Sequence, residues 1–197
     1  MIEPLCHRRA QRDNASKKSH LRHSFSGPDW FDDVHSLHQR QRDAMVTIQI
    51  NNNASLGDLH DGMTWIRGDR AEGIQLTIFL ISIGGHQLRH CLAAINGLLP
   101  GPPVLVSVVM NVSPTSRAYA EMTARCTTPF FVQLDEDMEL LPSALARFQE
   151  EIERWEPENF LADFLLIDTD LGVGDPPVIR SLKLYETKKI KDFSCHD

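Results

Sequence analysis

The chain has no apolar run approaching the ~18 residues that a membrane-spanning helix needs. Its first residues hold no apolar stretch of the kind that a secretory signal requires. A cytoplasmic location is therefore expected, with peripheral contact to a membrane left open. Cysteine is scarce and scattered. Cys6, Cys91, Cys126 and Cys195 form no Cys-x-x-Cys pair. They read as reduced thiols rather than a disulfide framework or a zinc site. Internal repeats are absent. Excess positive charge is absent where the apolar segments are. Residues 1–70 carry ten Lys and Arg against nine Asp and Glu, whereas residues 71–197 carry ten against eighteen. A region that acidic excludes nonspecific nucleic-acid binding, which depends on Lys and Arg neutralising phosphates.

What is present divides the 197 residues into three parts. Residues 1–44 are rich in Arg, Lys, His, Ser and Gln without periodicity, and are expected to form a disordered basic tail. Translation starting at Met45 is the alternative. Residues 45–73 alternate briefly like a strand, break at Asn51-Asn52-Asn53, and are expected to form an irregular lead-in segment. From residue 74 the pattern becomes regular. Residues 74–83 form an apolar strand ended by Gly84-Gly85. Leu88, Cys91, Leu92, Ile95 and Leu99 then recur at helical spacing until Pro100-Gly101-Pro102-Pro103. Residues 104–110 predict a second strand, and Ser113-Pro114 opens a second helix through Ala118, Met122 and Cys126. Residues 130–134 predict a third strand. A helix after Pro142 follows, with Leu145, Phe148, Ile152 and Trp155 on one face, then strands over 162–167 and 178–185. The order β-α-β-α-β-α-β-β implies a three-layer α/β sandwich with a mostly parallel, Rossmann-like central sheet. Ile78, Leu80, Val106, Val108, Phe131 and Val132 are its expected buried residues.

The candidate site follows the third strand. Phe130-Phe131-Val132-Gln133-Leu134 runs into Asp135-Glu136-Asp137. Ligands of open α/β sheets bind beyond the carboxyl ends of the strands. Two carboxylates spaced i, i+2 at such an end suit a hard divalent cation, which takes oxygen ligands and tolerates bound phosphate. The bland alternative is a solvated acidic turn.

Over residues 74–185 the chain resembles the family 2 glycosyltransferases of GT-A fold. The likeness is carried by the strand ending in Ile83-Gly84-Gly85, by residues 120–137 with their helix, small-residue turn, aromatic strand and Asp-x-Asp, and by Leu140-Leu141-Pro142 leading into a helix. The resemblance implies a GT-A-like domain over residues 74–197 that transfers a sugar from a nucleotide-sugar donor to a saccharide, lipid-linked or protein acceptor. It implies Mn²⁺ or Mg²⁺ held by Asp135 and Asp137, and a donor contacted by Ile83, Gly84, Asn111, Arg117 and Asp135. Asn111 stands where family members usually carry an acidic residue. Asp168, Asp170 and Glu186 are the candidate catalytic bases, none of them in a recognisable motif. The acceptor half of such a domain normally follows the metal motif, and 60 residues follow Asp137 here. A C-terminally truncated domain with weak or no transferase activity by itself is therefore expected. Two alternatives stand beside a transferase. One is a catalytically incomplete GT-A domain that binds a nucleotide-sugar or a protein. The other is a haloacid-dehalogenase-like phosphatase, in which the first Asp of an Asp-x-Asp is the nucleophile.

Overall fold

The computed structural model describes residues 6–8, 49–50, 54–168 and 178–194. Nine strands join in one open sheet. They are β1 (Cys6–Arg8), β2 (Gln49–Ile50), β3 (Thr64–Arg67), β4 (Leu76–Ser82), β5 (Val104–Met110), β6 (Phe130–Asp135), β7 (Met138–Leu140), β8 (Leu161–Asp168) and β9 (Val178–Glu186), in the spatial order β2-β3-β5-β4-β6-β9-β8-β1-β7. Among the described residues four α-helices accompany them: α1 (Leu88–Asn96), α2 (Thr115–Arg125), α3 (Ala144–Glu153) and α4 (Thr187–Ser194).

The apolar strands β4, β5 and β6 lie side by side and parallel, as continuous burial on both faces requires. One face packs against α1 and α3, through Leu88, Cys91, Leu92, Ile95, Leu145 and Phe148. The other packs Phe79, Val109 and Phe131 against Ala118, Met122 and Cys126 of α2 and its end, with Ile190 of α4 beside them. All six expected sheet residues are buried. Cys91 and Cys126 are buried thiols outside any disulfide.

The expectation of a mostly parallel, Rossmann-like sandwich is corrected. The sheet is mixed: β3 runs antiparallel to β5, β9 antiparallel to both β6 and β8, and β7 antiparallel to β1. The cause lies in the connections. A parallel neighbour needs a crossover of a dozen or more residues, and β8 and β9 follow one another too closely for that. The segment before β4 is also part of the domain. Ala54, Trp65 and Ile66 are buried in the core. The first helix is shorter than its apolar spacing suggested. It ends at Asn96, so Leu98 turns inward and Leu99 is left 55% exposed.

Three residues of the tail region are described. Cys6–Arg8 is a strand of the sheet, parallel to β8 and antiparallel to β7. The rest of residues 1–44 lies outside the described residues. Three residues carry no readable period, so the pairing was invisible in the sequence. Deleting residues 1–10 leaves the backbone groups of β7 and β8 without this neighbour. Each hydrogen bond lost costs about 0.5–1.5 kcal/mol, and about 2–4 °C of Tm accompanies each kcal/mol in a chain of this size. A fall of several degrees in Tm is the expected result. An unchanged melting curve would mean that the strand contributes nothing to stability.

Candidate functional site

β4 is flanked by β5 on one side and β6 on the other. The chain crosses from β4 to β5 through α1 on one face and from β5 to β6 through α2 on the opposite face. The direction of winding therefore reverses between β4 and β6. Beyond their carboxyl ends lies the crevice in which open α/β sheets hold ligands. Three short segments meet there: Ser82-Ile83-Gly84-Gly85 after β4, Asn111 after β5, and Asp135-Glu136-Asp137 at the end of β6.

The middle carboxylate binds the crevice together. Glu136 Oε2 accepts the Ser82 hydroxyl at 2.5 Å and the Gly85 N–H at 3.0 Å, while Ser82 Oγ accepts the Gly84 N–H at 2.8 Å. The approach is so close that a Cβ on Gly85 would lie 2.1 Å from Glu136 Oε1. Gly84 turns the chain with φ of +82°, where L side chains are strained. Asn111, also left-handed at φ 58°, donates its N–H to the Ser82 carbonyl at 2.8 Å and ties the β5 end to the β4 end. Ile83 projects above them, 74% exposed.

Asp135 faces a different neighbourhood. Its Oδ1 accepts Gln133 Nε2 at 2.8 Å, and Gln133 also hydrogen-bonds the Tyr119 phenol. Tyr119, Gln133, Asp135, Met138, Lys183 and Tyr185 line a polar cavity of about 130 Å³. Burial pushes the Tyr119 phenol above its ordinary range, and the Asp135 charge adds to the rise. Burial, with Tyr119 and Asp163 nearby, pushes Tyr185 up to about 12. Both phenols keep their protons at neutral pH and remain hydrogen-bond donors.

The expected Mn²⁺ or Mg²⁺ site at Asp135 and Asp137 is corrected. No group of three or more His, Cys, Asp or Glu placed to hold a metal exists among the described residues. Residues i and i+2 share a face only while the strand continues. β6 ends at Asp135, and Glu136 and Asp137 form a turn. The carboxylates diverge: Asp135 turns to Gln133 and Glu136 to Ser82 and Gly85.

The other expected site residues are spread out. Arg117 sits in the first turn of α2, half-exposed, 3.6 Å from Glu121. Glu186 pairs with Phe130 at the opposite end of β6 from Asp135. Burial opposes its charge, yet hydrogen bonds from Lys189 and Trp155 hold its pKa below the usual carboxylate range. Asp168 ends β8 on the crevice side of the sheet. Its register partner in β1 is Arg8, which also pairs with Met138, so Asp168 lies two strand spacings from the β7 start. That is about 10 Å. Asp170 lies outside the described residues. Tyr119, Gln133, Lys183 and Tyr185 were not singled out from the sequence. Their one signal was Gln133, a polar residue inside an apolar strand.

Neither a family model, nor a curated protein, nor a solved structure matches this chain. No helix among the described residues is long and apolar enough to cross a membrane.

Proposed function

We propose that this chain is a glycosyltransferase-like domain that binds a nucleotide-sugar in the crevice between β4 and β6, with weak or no sugar transfer by this chain alone. The observation that carries the reading is the reversal of winding at that crevice, with the Gly84-Gly85 loop on one lip and Asp135-Glu136-Asp137 on the other. Two helices, α1 and α2, begin beside it, and neither has an acidic residue in its first turn. Helix N-termini favour phosphate through free N–H groups and the helix dipole, and Arg117 adds a cation in the first turn of α2. Ionised carboxylates accept hydrogen bonds, so Asp135 and Asp137 suit ribose and sugar hydroxyls rather than phosphate. In this arrangement the diphosphate lies toward the helices and the hydroxyls toward the strand end. Glu186 lies away from the crevice, whereas the β8 backbone ends at Asp168 on the crevice side.

The test is thermal melting with UDP-glucose, UDP-N-acetylglucosamine, GDP-mannose and dTDP-glucose, in a chelator. A ligand at 100 times its Kd stabilises by about 2.7 kcal/mol, or roughly 5–10 °C for a chain of this size. One donor is expected to reach that shift. A panel in which no donor moves the Tm would dispose of the reading.

A further inference from the structure

The cavity on the β9 side of Asp135 is separate from the crevice on the β4 side. Three elements build it. Gln133 and Asp135 come from β6, Lys183 and Tyr185 from β9, and Tyr119 from α2. The last β6–β9 register pair is Val132 with Leu184, so Gln133 and Lys183 come opposite one another just beyond it. Tyr185 is fixed from behind: its ring stacks on Phe131 at 5.0 Å and 24° between planes. Gln133 is fixed by its bond to Asp135. The cavity therefore has rigid walls rather than a fringe of mobile side chains.

Its chemistry is selective. The lining carries one carboxylate and one ammonium, Asp135 and Lys183, and Asp163, the register partner of Lys183, adds a second carboxylate near Tyr185, so an anion is not favoured. Around that pair stand two phenols, which both donate and accept, and an amide that does the same. Met138 supplies the apolar contact and is itself 5% exposed. A space of about 130 Å³ is roughly four water volumes at ~30 Å³ each, enough for one edge of a polyol ring rather than the whole of it. Alternating donors and acceptors beside aromatic rings, with no excess of positive charge, match a ligand of many hydroxyls on a compact carbon frame.

We propose that this cavity binds one edge of a small neutral polyol, a single pyranose ring or a cyclitol, with Gln133, Asp135, Lys183 and the Tyr185 hydroxyl bonding its hydroxyls and the Tyr185 ring forming one wall. The site needs no phosphate and lies on the β9 side of β6, sharing Asp135 with the nucleotide-sugar reading. The two can be told apart in one experiment.

The full chain is titrated with free glucose, galactose, mannose and myo-inositol, and separately with UDP, while amide ¹⁵N–¹H shifts are followed. At least one polyol is expected to saturate at millimolar concentration and to move the amides of residues 133–135 and 183–185. Tyr185→Phe keeps the wall and removes the hydroxyl, and Gln133→Leu removes the amide. Each is expected to weaken polyol binding about tenfold, as the loss of one buried hydrogen bond does, while UDP shifts at Gly84 and Gly85 stay as in the wild type. If Gln133→Leu melts early, Tyr185→Phe decides alone. Failure of all four polyols to saturate, or unchanged polyol affinity in Tyr185→Phe, would overturn the proposal. Polyol binding without any UDP response would uphold it while removing a uridine nucleotide from the nucleotide-sugar reading.

Discussion

Replacing Arg125 by methionine is expected to lower the unfolding free energy by about 3 kcal/mol, the low end of what removing one partner of a buried ion pair costs. Arg125 closes α2. Its guanidinium pairs with Glu121 one turn back, reaches both oxygens of Asp61 at 3.0 and 3.1 Å, and donates to the Val108 carbonyl at 3.2 Å. Asp61 in turn accepts the Met110 N–H at 3.0 Å. One side chain thus pins α2 to β5 and to the segment before β3. The Glu121 side chain is 5% exposed, so methionine leaves a buried carboxylate with Arg117 as its remaining partner. That isolation costs more than the lost bonds to the half-exposed Asp61. Adding Glu121→Gln to Arg125→Met removes the stranded charge and is expected to recover part of the loss, so the double variant falls short of additivity. A pH series separates the Asp61 share. Burial pushes the Asp61 carboxyl up, but Arg125 and the Met110 N–H outweigh it and hold the pKa below its ordinary value. A carboxylate with a depressed folded-state pKa stabilises above its unfolded pKa and loses that contribution as pH falls through the folded one. Urea melts from neutral to acid pH should therefore show the gap between wild type and Arg125→Met narrowing as Asp61 protonates. A gap of under 1 kcal/mol at neutral pH would show that the cluster is a surface network with little effect on stability.

How far the sequence disclosed this molecule depended on the length of each signal. β4, β5 and β6 are long apolar runs, and Ile78, Val106 and Val132 could only be buried. The helices between them carry apolar residues at spacing three and four, so their inward faces were legible too. Strand direction was harder. It depends on what lies between strands, and the two final strands, read correctly as consecutive, already implied an antiparallel pair that the parallel-sheet expectation passed over. Trp65 sits in a four-residue strand after a broken stretch, too short for a period to emerge. At the site, the position of the acidic triplet at a strand end was readable because it needs only the end of an apolar run. The direction of each carboxylate was not. It is set by where β6 stops and the turn begins, a matter of one residue, which also decided that Asp135 and Glu136 turn to different neighbours. The cavity beside Asp135 draws on residues 119, 133 and 183, distant in the chain and brought together by the β6–β9 pairing and by the packing of α2 on the sheet.

Glu136→Ala is expected to bind UDP about tenfold more tightly than the wild type while losing about 1–3 kcal/mol of stability. The Glu136 carboxylate occupies the Gly85 N–H and the Ser82 hydroxyl, donors that a phosphate oxygen entering the crevice would otherwise use. It also places a negative charge beside an incoming anion. Two unit charges 4 Å apart repel by about 1 kcal/mol in water and about 4 kcal/mol at an effective dielectric near 20. A tenfold gain needs about 1.4 kcal/mol, which lies inside that range. The stability loss follows from the same contacts. Ser82 is 2% exposed and retains only the Gly84 N–H as a polar neighbour among these bonds once the carboxylate is gone. Glu136→Gln separates charge from occupancy, because its amide oxygen still accepts the Gly85 N–H without the repulsion, and an intermediate affinity is expected. Calorimetric titration of UDP into the three proteins, in chelator and at two salt concentrations, measures the difference. The gain should shrink at high salt if repulsion is its main source, since screening weakens it. Equal affinity in all three would place the phosphate away from the Gly84-Gly85 loop. Weaker binding in Glu136→Ala would mean that the carboxylate itself holds ligand hydroxyls, and the crevice would then bind sugar where the diphosphate has been assigned.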